Sequence, residues 1–386
     1  MNRNKQYLSF YLFWILILFF GGKIGCMDNS RIPLTKEEVR KLFSDVTLMN
    51  QSLQDTKTSI NQMDISDYNI QYAIIKHVLF YKTDWKNIKA KNSDLEHITF
   101  SKLSLNYVDF SNTTMDHVIF KNCDLNHVTF DNSTLNDVTF QNCVIKKSSF
   151  KKMESGVISI LDSYIKERTS FARASSDILL SCTTIEKSTF FELRSDNFTI
   201  KDSKLTYSDF SGIHAKKMII DNVNGSGEIS FSKLMSNHLI LKNSNFDQKI
   251  FFNYSQINTF EINKSTFGGI GIILMGLQSQ HVLIDKCRAN YFSLYKAIIN
   301  KILLINSYFE EIVAGKSRIS TIALEKSTIN SIGNWSETKI DHMSLNDVTL
   351  SGDQIFSGAE IKSLSTKNII KEDRFKLISD QPIKLH

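Results

Sequence analysis

The chain has 386 residues, of which 42% are hydrophobic and 22% are charged, and it contains two prolines and 15 glycines. Average usage would give about 19 prolines and about 27 glycines. This composition excludes disordered, collagenous and linker-rich proteins, because such chains bury too little apolar surface to offset their conformational entropy. The formal net charge of +6 is small beside 46 basic and 40 acidic side chains, so it indicates no nucleic-acid partner.

The N-terminus predicts export. Two basic residues precede an uncharged run over residues 7–20, which is shorter than the about 20 residues of a membrane span and typical of a secretory signal peptide. Cys26 follows Gly25 and resembles the lipidated cysteine of bacterial lipoproteins, although Lys23 stands where leucine is usual. We expect a signal peptide over residues 1–25 and a lipid on Cys26 that anchors the protein in the outer membrane, facing the periplasm. Ordinary signal cleavage and an uncleaved anchor are the alternatives.

A helix is predicted next, within the N-terminal segment 26–79. Thr35 and Glu38 have the spacing of a capping box, and apolar residues then recur every three or four residues over about 18 residues. We expect this apolar stripe to cover the open end of the structure that follows, although a partner-binding helix has the same pattern. The stripe consists of Val39, Leu42, Phe43, Val46 and Met49.

From residue 80 to residue 150 every fifth residue is nearly always large and apolar, as in Phe120, Leu125 and Phe130. Runs such as 123–127 and 133–137 resemble the pentapeptide-repeat family. The resemblance implies a right-handed square β-helix with four pentapeptides per coil, in which the central residue and the smaller residue two before it fill the interior. This chain departs from the family in using many phenylalanine centres, so we expect a wider, Phe-filled core.

Beyond residue 150 the five-residue spacing loosens, but small residues still recur at intervals of 19 to 22 residues. Short strand-like runs of alternating apolar residues precede these positions. The pattern predicts an all-β protein with one solenoid over residues 80–372, about 14 coil-to-coil steps, and a C-terminal tail over 373–386. The recurring small residues include Ser163, Cys182, Ser203, Ser244, Ser265, Cys287, Ser307 and Ser327.

Four cysteines after Cys26 fall in this inward column and not in a CxxC pair, so we predict buried, free thiols. They are Cys123, Cys143, Cys182 and Cys287.

A histidine column lies on the predicted outer surface. His77, His97 and His117 are twenty residues apart, with Asp137 next in line. Stacked imidazoles could share a metal ion or titrate together. Because pentapeptide coils accept many polar residues at this position, we expect no metal site.

The sequence contains no recognisable set of catalytic acid, base and nucleophile. The glycine-rich run 268–271 is not followed by the lysine of a phosphate-binding loop. We therefore expect no catalytic residues and no cofactor. The run 268–271 and the apolar residues after it predict a bulge or a small exposed contact patch.

The functional prediction is a non-catalytic protein-binding scaffold of the bacterial cell envelope, with a secretion assembly as one context and its oligomeric state open. A β-helical carbohydrate-active enzyme is the alternative from another class, and a surface adhesin or host-directed effector is the alternative within binding proteins. Other envelope proteins are the expected partners, and the membrane is reached through the lipid. The candidate partner contacts are Val39, Leu42, Phe43, Val46, Ile270, Ile272, Leu274 and Met275.

Overall fold

The computed structural model describes residues 31–54, 57–372 and 374–380. These residues form a parallel β-solenoid of about 16 coils with two short helices near its N-terminal end, as expected for a right-handed β-helix with a helical cap. The predicted signal peptide and Cys26 lie outside the described residues.

The N-terminal helices are α1 (Lys36–Ser44) and α2 (Val46–Ser52). The predicted capping box is present: the backbone N–H of Thr35 donates to the Glu38 carboxylate at 2.7 Å, and the Glu38 N–H donates to the Thr35 hydroxyl at 3.3 Å. The prediction of one helix of about 18 residues is wrong, because Asp45 adopts an extended conformation between the two helices. Its carboxylate accepts the first N–H groups of α2 and thereby begins a new helix.

The helices cover the first coil of the solenoid. Phe43 packs edge-to-face on Tyr68, Phe80 and Trp85, with ring centroids 5.6, 6.4 and 6.2 Å away. The chain segment before α1 adds a short rung of its own, since Ile32–Pro33 pairs with Thr58–Asn61. The N-terminal end of the core is therefore closed.

In the coils before residue 154, each turn has four faces of five residues. One coil consists of the strands Thr114–Asp116, Ile119–Lys121 and Asp124–Asn126, and of Thr129, which bridges Asp109 and Ser149 on its neighbours. A residue in the left-handed region separates successive faces and turns the chain. The other short strands of this part are Thr58–Asn61, Ile74–Lys76, Val78–Tyr81, Asp84–Lys86, Asp94–Glu96, Thr99–Ser101, Ser104–Asn106, Thr134–Asn136, Val138–Gln141 and Val144–Lys146.

The solenoid begins earlier and ends later than predicted. Its ladder starts at Thr58, and the five-residue frame runs back through Ile75 to Ile60, whose side chains are fully buried. At the other end, Lys376–Ile378 pairs with Asp353–Ile355. The predicted start at 80 was wrong because it followed the phenylalanine centres, whereas isoleucine fills the first coils, and the predicted end at 372 was wrong because one more strand follows the last of the recurring small residues.

From residue 154 onward, two neighbouring faces fuse into one strand. Glu154–Leu161 pairs with both Thr134–Asn136 and Val138–Gln141 of the preceding coil. This fusion explains why the five-residue spacing loosens there while the twenty-residue spacing persists. The fused strands are Glu154–Leu161, Ser175–Ser181, Arg194–Lys201, His214–Asp221, Met235–Lys242, Gln256–Asn263, Gln278–Asp285, Ile298–Ile305, Arg318–Glu325, Lys339–Asn346 and Glu360–Lys367.

The remaining strands form a second parallel ladder on the other faces, and two of these faces fuse where Arg288–Ser293 pairs with both strands of the preceding coil. The strands of this ladder after residue 154 are Tyr164–Lys166, Thr184–Glu186, Lys204–Thr206, Asn224–Ser226, Ile229–Ser230, Asn245–Phe246, Ile250–Phe251, Thr266–Phe267, Ile272–Ile273, Arg288–Ser293, Tyr308–Val313, Thr328–Asn334, Thr349–Leu350, Asp353–Ile355, Ile370–Lys371 and Lys376–Ile378.

Stacked phenylalanines fill the interior, as predicted. In one column Phe100, Phe120 and Phe140 stack with centroid separations of 4.7 and 4.8 Å. A second column meets the first at nearly right angles, with Phe120 and Phe130 inclined by 88°. The core therefore combines stacked contacts along the rod with edge-to-face contacts across it.

Small inward residues occupy the coil corners and bond to backbone carbonyls of the coil before. The Thr113 hydroxyl donates to the Ala90 carbonyl at 3.0 Å, and the Cys123 and Cys143 thiols make the equivalent 3.3 Å bonds. The prediction of buried, free cysteines is correct for these two and for Cys287.

The prediction is wrong for Cys182, which is exposed and adopts a left-handed turn conformation. Its neighbour Thr183 takes the inward place, because its hydroxyl donates to the Ile160 carbonyl at 3.0 Å. The inward corner residue of this coil is therefore Thr183, one position after Cys182.

Candidate functional site

A polar groove runs along the outside of the fused strands. Over residues 155–280 it has a volume of about 950 Å³, and a further depression of about 730 Å³ shares residues 278–280 with it and continues to residue 341. Ten successive coils line the two depressions. At about 4.8 Å per coil, the groove is about 43 Å long.

The inward column beneath the first part of the groove changes at residue 155. Leu95, Met115 and Leu135 fill this column in the earlier coils, and the register places Ser155 directly beyond Leu135. Serine or alanine then holds this inward position up to Ser236, half-buried at Ser155 and Ser195, and isoleucine returns at Ile257, Ile299, Ile319 and Ile340.

Neutral amides line the middle of the groove. The strand register aligns Asn237, Asn258, Gln280 and Asn300 on four successive coils, and it places Gln256 opposite Gln278 in the parallel column. All six side chains are exposed. No charged side chain interrupts these two columns over residues 235–300.

The carboxylates of the groove are engaged by other groups. The Asp177 carboxylate accepts the backbone N–H groups of Asp196 and Asn197, both at 2.8 Å. The strand Ser175–Ser181 has seven residues, whereas its neighbours in the ladder have eight. The shorter strand offers one backbone carbonyl fewer to the next coil, and the Asp177 carboxylate accepts hydrogen bonds in its place. Asp196 forms an ion pair with Lys216 at 2.6 Å.

The predicted partner contacts on the N-terminal helices are mostly buried. Val39, Leu42 and Phe43 are at most 6% exposed because they cover the first coil. The hypothesis that they bind a partner is therefore wrong. Val46 is half-buried and lies beside Tyr72 at the edge of a shallow depression.

The predicted contact patch after the glycine run is also smaller than expected. Ile272 and Leu274 are core residues with at most 1% exposure, so their assignment as contacts was wrong. Gly271 has a φ of +82°, and a Cβ there would lie 2.0 Å from the Tyr291 carbonyl oxygen, which explains the glycine. Ile270 remains exposed at 46%, and Met275 is half-buried.

The histidine column stacks on the outer surface as the spacing predicted. The rings of His77, His97 and His117 are separated by 5.0 and 4.9 Å. His117 reaches Asp116 at 3.1 Å and Asp137 at 3.7 Å. Among the described residues, no cluster of three or more His, Cys, Asp or Glu side chains has a geometry that could hold a metal ion.

The buried thiols of Cys143 and Cys287 are poor nucleophiles. Burial raises the pKa of Cys287 to about 11. A hydrogen bond with Cys123, together with burial, raises the pKa of Cys143 above its ordinary value. Neither thiol faces the groove.

Within the described ranges, no helix is both long enough and apolar enough to span a membrane.

The coil geometry decides the fold family. In the coils before residue 154, each coil has four five-residue faces, with a buried residue at the centre of each face and a left-handed residue two positions later. The chain has the pentapeptide-repeat fold. The predicted resemblance is thus confirmed at the level of coil geometry.

Comparisons with known proteins found only distant structural likenesses. No protein-family model matches the chain, and no curated protein matches it. Among solved structures, a trypsin-treated variant of QnrB1, a plasmid-mediated fluoroquinolone resistance protein, is 16% identical with a TM-score of 0.20, covering 57% of this chain and 89% of that one. HetL, a pentapeptide-repeat protein involved in heterocyst differentiation regulation in the cyanobacterium Nostoc sp. strain PCC 7120, is 10% identical with a TM-score of 0.13, covering 89% of this chain and 99% of that one.

Proposed function

We propose that the protein is a non-catalytic binding scaffold of the bacterial cell envelope, held at the membrane by a lipid on Cys26. The observation that carries the proposal is the continuous ladder of about 16 coils, which presents long columns of outward side chains on a rigid rod. The three groove carboxylates support binding over catalysis, because Asp177 caps backbone N–H groups, Asp196 pairs with Lys216 and Asp341 pairs with Lys362.

The proposed location rests on the N-terminal sequence. A charge-free run over residues 7–20 and the Gly25-Cys26 pair fit export and lipidation. Met27 stands after the cysteine in place of the aspartate of inner-membrane lipoproteins, which favours outer-membrane anchoring with the rod in the periplasm. Other envelope proteins are the proposed partners, and a secretion assembly is a suitable context for a rigid rod of this length.

Replacing Cys26 with serine tests the anchor. We expect wild type in the outer-membrane fraction with a lipid mass on its N-terminal peptide, and Cys26→Ser in the soluble periplasmic fraction. Retention of the serine variant in the membrane, together with an unmodified wild-type peptide, would contradict the lipoprotein proposal.

Partner capture tests the scaffold. After cross-linking in intact cells and extraction with mild detergent, specific envelope proteins should copurify with wild type. Ile270→Glu places a charge on the exposed part of the predicted patch and should weaken capture, whereas Lys264→Glu alters an exposed turn outside that patch and serves as the control. Identical capture by wild type and both variants would remove Ile270 as a contact, and capture of no envelope protein would contradict the scaffold.

A further inference from the structure

We propose that the polar groove is a binding site for one extended, neutral polysaccharide chain. The site comprises the amide columns around Asn237, Asn258 and Gln280, with Gln256 and Gln278 alongside. The inference is independent of the lipid anchor and of any protein partner.

The state of the groove amides is the first argument. No side chain among Asn237, Gln256, Asn258, Gln278, Gln280 and Asn300 forms a hydrogen bond with another described residue. Each amide offers two donors and an acceptor. A run of such groups on four coils can satisfy the hydroxyl and ring oxygens of a sugar chain, which also both donate and accept.

Several amides elsewhere on the rod form side-chain hydrogen bonds with neighbouring coils. On the turn column, Asn243 donates to Asp221 at 2.8 Å and Asn306 donates to Asp285 at 3.0 Å. These hydrogen bonds fix the turns and occupy the side-chain amides of Asn243 and Asn306. Other exposed amides, such as Asn92, Asn112 and Asn132, also form no side-chain hydrogen bond with another described residue, so the groove is distinguished by two adjacent amide columns that line one depression.

The charge of the groove favours a neutral ligand. The two columns carry no charged side chain over residues 235–300. The cations of the groove, Arg194, Lys216, Arg318 and Lys339, lie beyond the two ends of this stretch, and Lys216 pairs with Asp196. An acidic polymer would find no matching row of cations here. A nucleic acid is disfavoured for the same reason, because phosphate contacts dominate its affinity.

The backbone of the groove floor excludes an added peptide strand. Each fused strand here pairs with a coil on both sides, as Gln256–Asn263 does with Met235–Lys242 and Gln278–Asp285. No strand edge opens into the groove, so a peptide could not extend the sheet. A sugar chain needs no such edge, and one sugar unit advances by about the spacing of one coil.

An array of linear glycans of at least six sugars, neutral and acidic, tests the proposal with the full-length protein in mild detergent. We expect retention of neutral chains, a steep loss of affinity for the corresponding disaccharides, and about tenfold weaker binding by the double variant Asn258→Ala/Gln280→Ala, measured by calorimetry. The matched control is Asn243→Ala/Asn306→Ala, which removes the same number of amides from the turn column and should bind like wild type.

Circular dichroism and thermal melting establish that both double variants are folded. Retention of no neutral glycan by folded wild type would overturn the proposal. So would equal binding by wild type and the groove variant, or a preference for acidic glycans that salt abolishes.

Discussion

In each five-residue face before residue 154, the central side chain lies in the core, and the residue two positions later adopts the left-handed turn conformation. Phe130 is the centre of one face, and His127 is the turn residue of the face before it. Phe130 is fully buried and stacks on Phe110 and Phe150 at 5.3 and 4.6 Å. His127 has a φ of +55° and stacks on Tyr107 at the surface.

Truncating these two residues should have very different effects. We expect Phe130→Ala to lower the free energy of unfolding by about 3 to 5 kcal/mol, because it leaves a cavity in a stacked column. His127→Ala should change it by less than about 0.5 kcal/mol, since the ring is at the surface. Urea denaturation followed by circular dichroism measures both, and similar losses would contradict the assigned frame.

The cysteines provide a second test at the level of single residues. The folded-state pKa of Cys287, about 11, lies above the about 8.5 of an unfolded thiol, so its contribution to stability is complete below about pH 8.5 and is lost as pH rises toward 11. At pH 8 we expect iodoacetamide to modify Cys182 in the native protein and Cys287 only after denaturation. Peptide mapping by mass spectrometry distinguishes them, and rapid native labelling of Cys287 would contradict its burial.

At the level of strands, Asp177 compensates for a missing residue. Its carboxylate accepts two backbone N–H groups of the next coil and the Asn197 side chain at 3.0 Å. We expect Asp177→Ala to lower the free energy of unfolding by about 1 to 3 kcal/mol, because it leaves these donors without their acceptor.

Asp177→Asn is the matched control, because asparagine retains one acceptor oxygen in the same place. It should lose less stability than the alanine variant in thermal and urea unfolding. If both variants are as stable as wild type, the carboxylate has no structural role, and its use as a catalytic group would need to be reconsidered.

The sequence predicts some elements better than others for physical reasons. The five-residue frame is visible because every coil before residue 154 repeats the same burial pattern, and the capping box at Thr35 is local. The groove is not visible, because the fusion of two faces into one strand depends on how coils stack. Ile272 and Leu274 were mistaken for surface contacts because apolar residues after glycine look alike whether they are buried or exposed.

At the scale of the whole molecule, the two ends of the described rod differ. The helices bury Phe43 over the first coil, whereas the inward residues of the last coil, such as Leu364 and Leu377, are only partly buried. In a solenoid each coil is stabilised by its neighbours, so a coil covered on one side is the least stable.

Hydrogen exchange should therefore proceed inward from the C-terminal end. We expect amides of Glu360–Lys367 to exchange faster than those of Thr58–Asn61, and those of the central coils to exchange slowest. Exchange followed by mass spectrometry measures this order. Faster exchange at Thr58–Asn61 than at Glu360–Lys367 would contradict the role of the helices as a cap.

The central claim is that this rod binds along its outer face without turnover. It is tested most directly by incubating excess protein with the neutral glycan it retains and following the chain length of that glycan by mass spectrometry. We predict that the glycan is recovered intact, because Asp177 and Asp196 are engaged by backbone N–H groups and by Lys216. Steady shortening of the glycan by wild type, abolished in Asp196→Asn, would contradict the account.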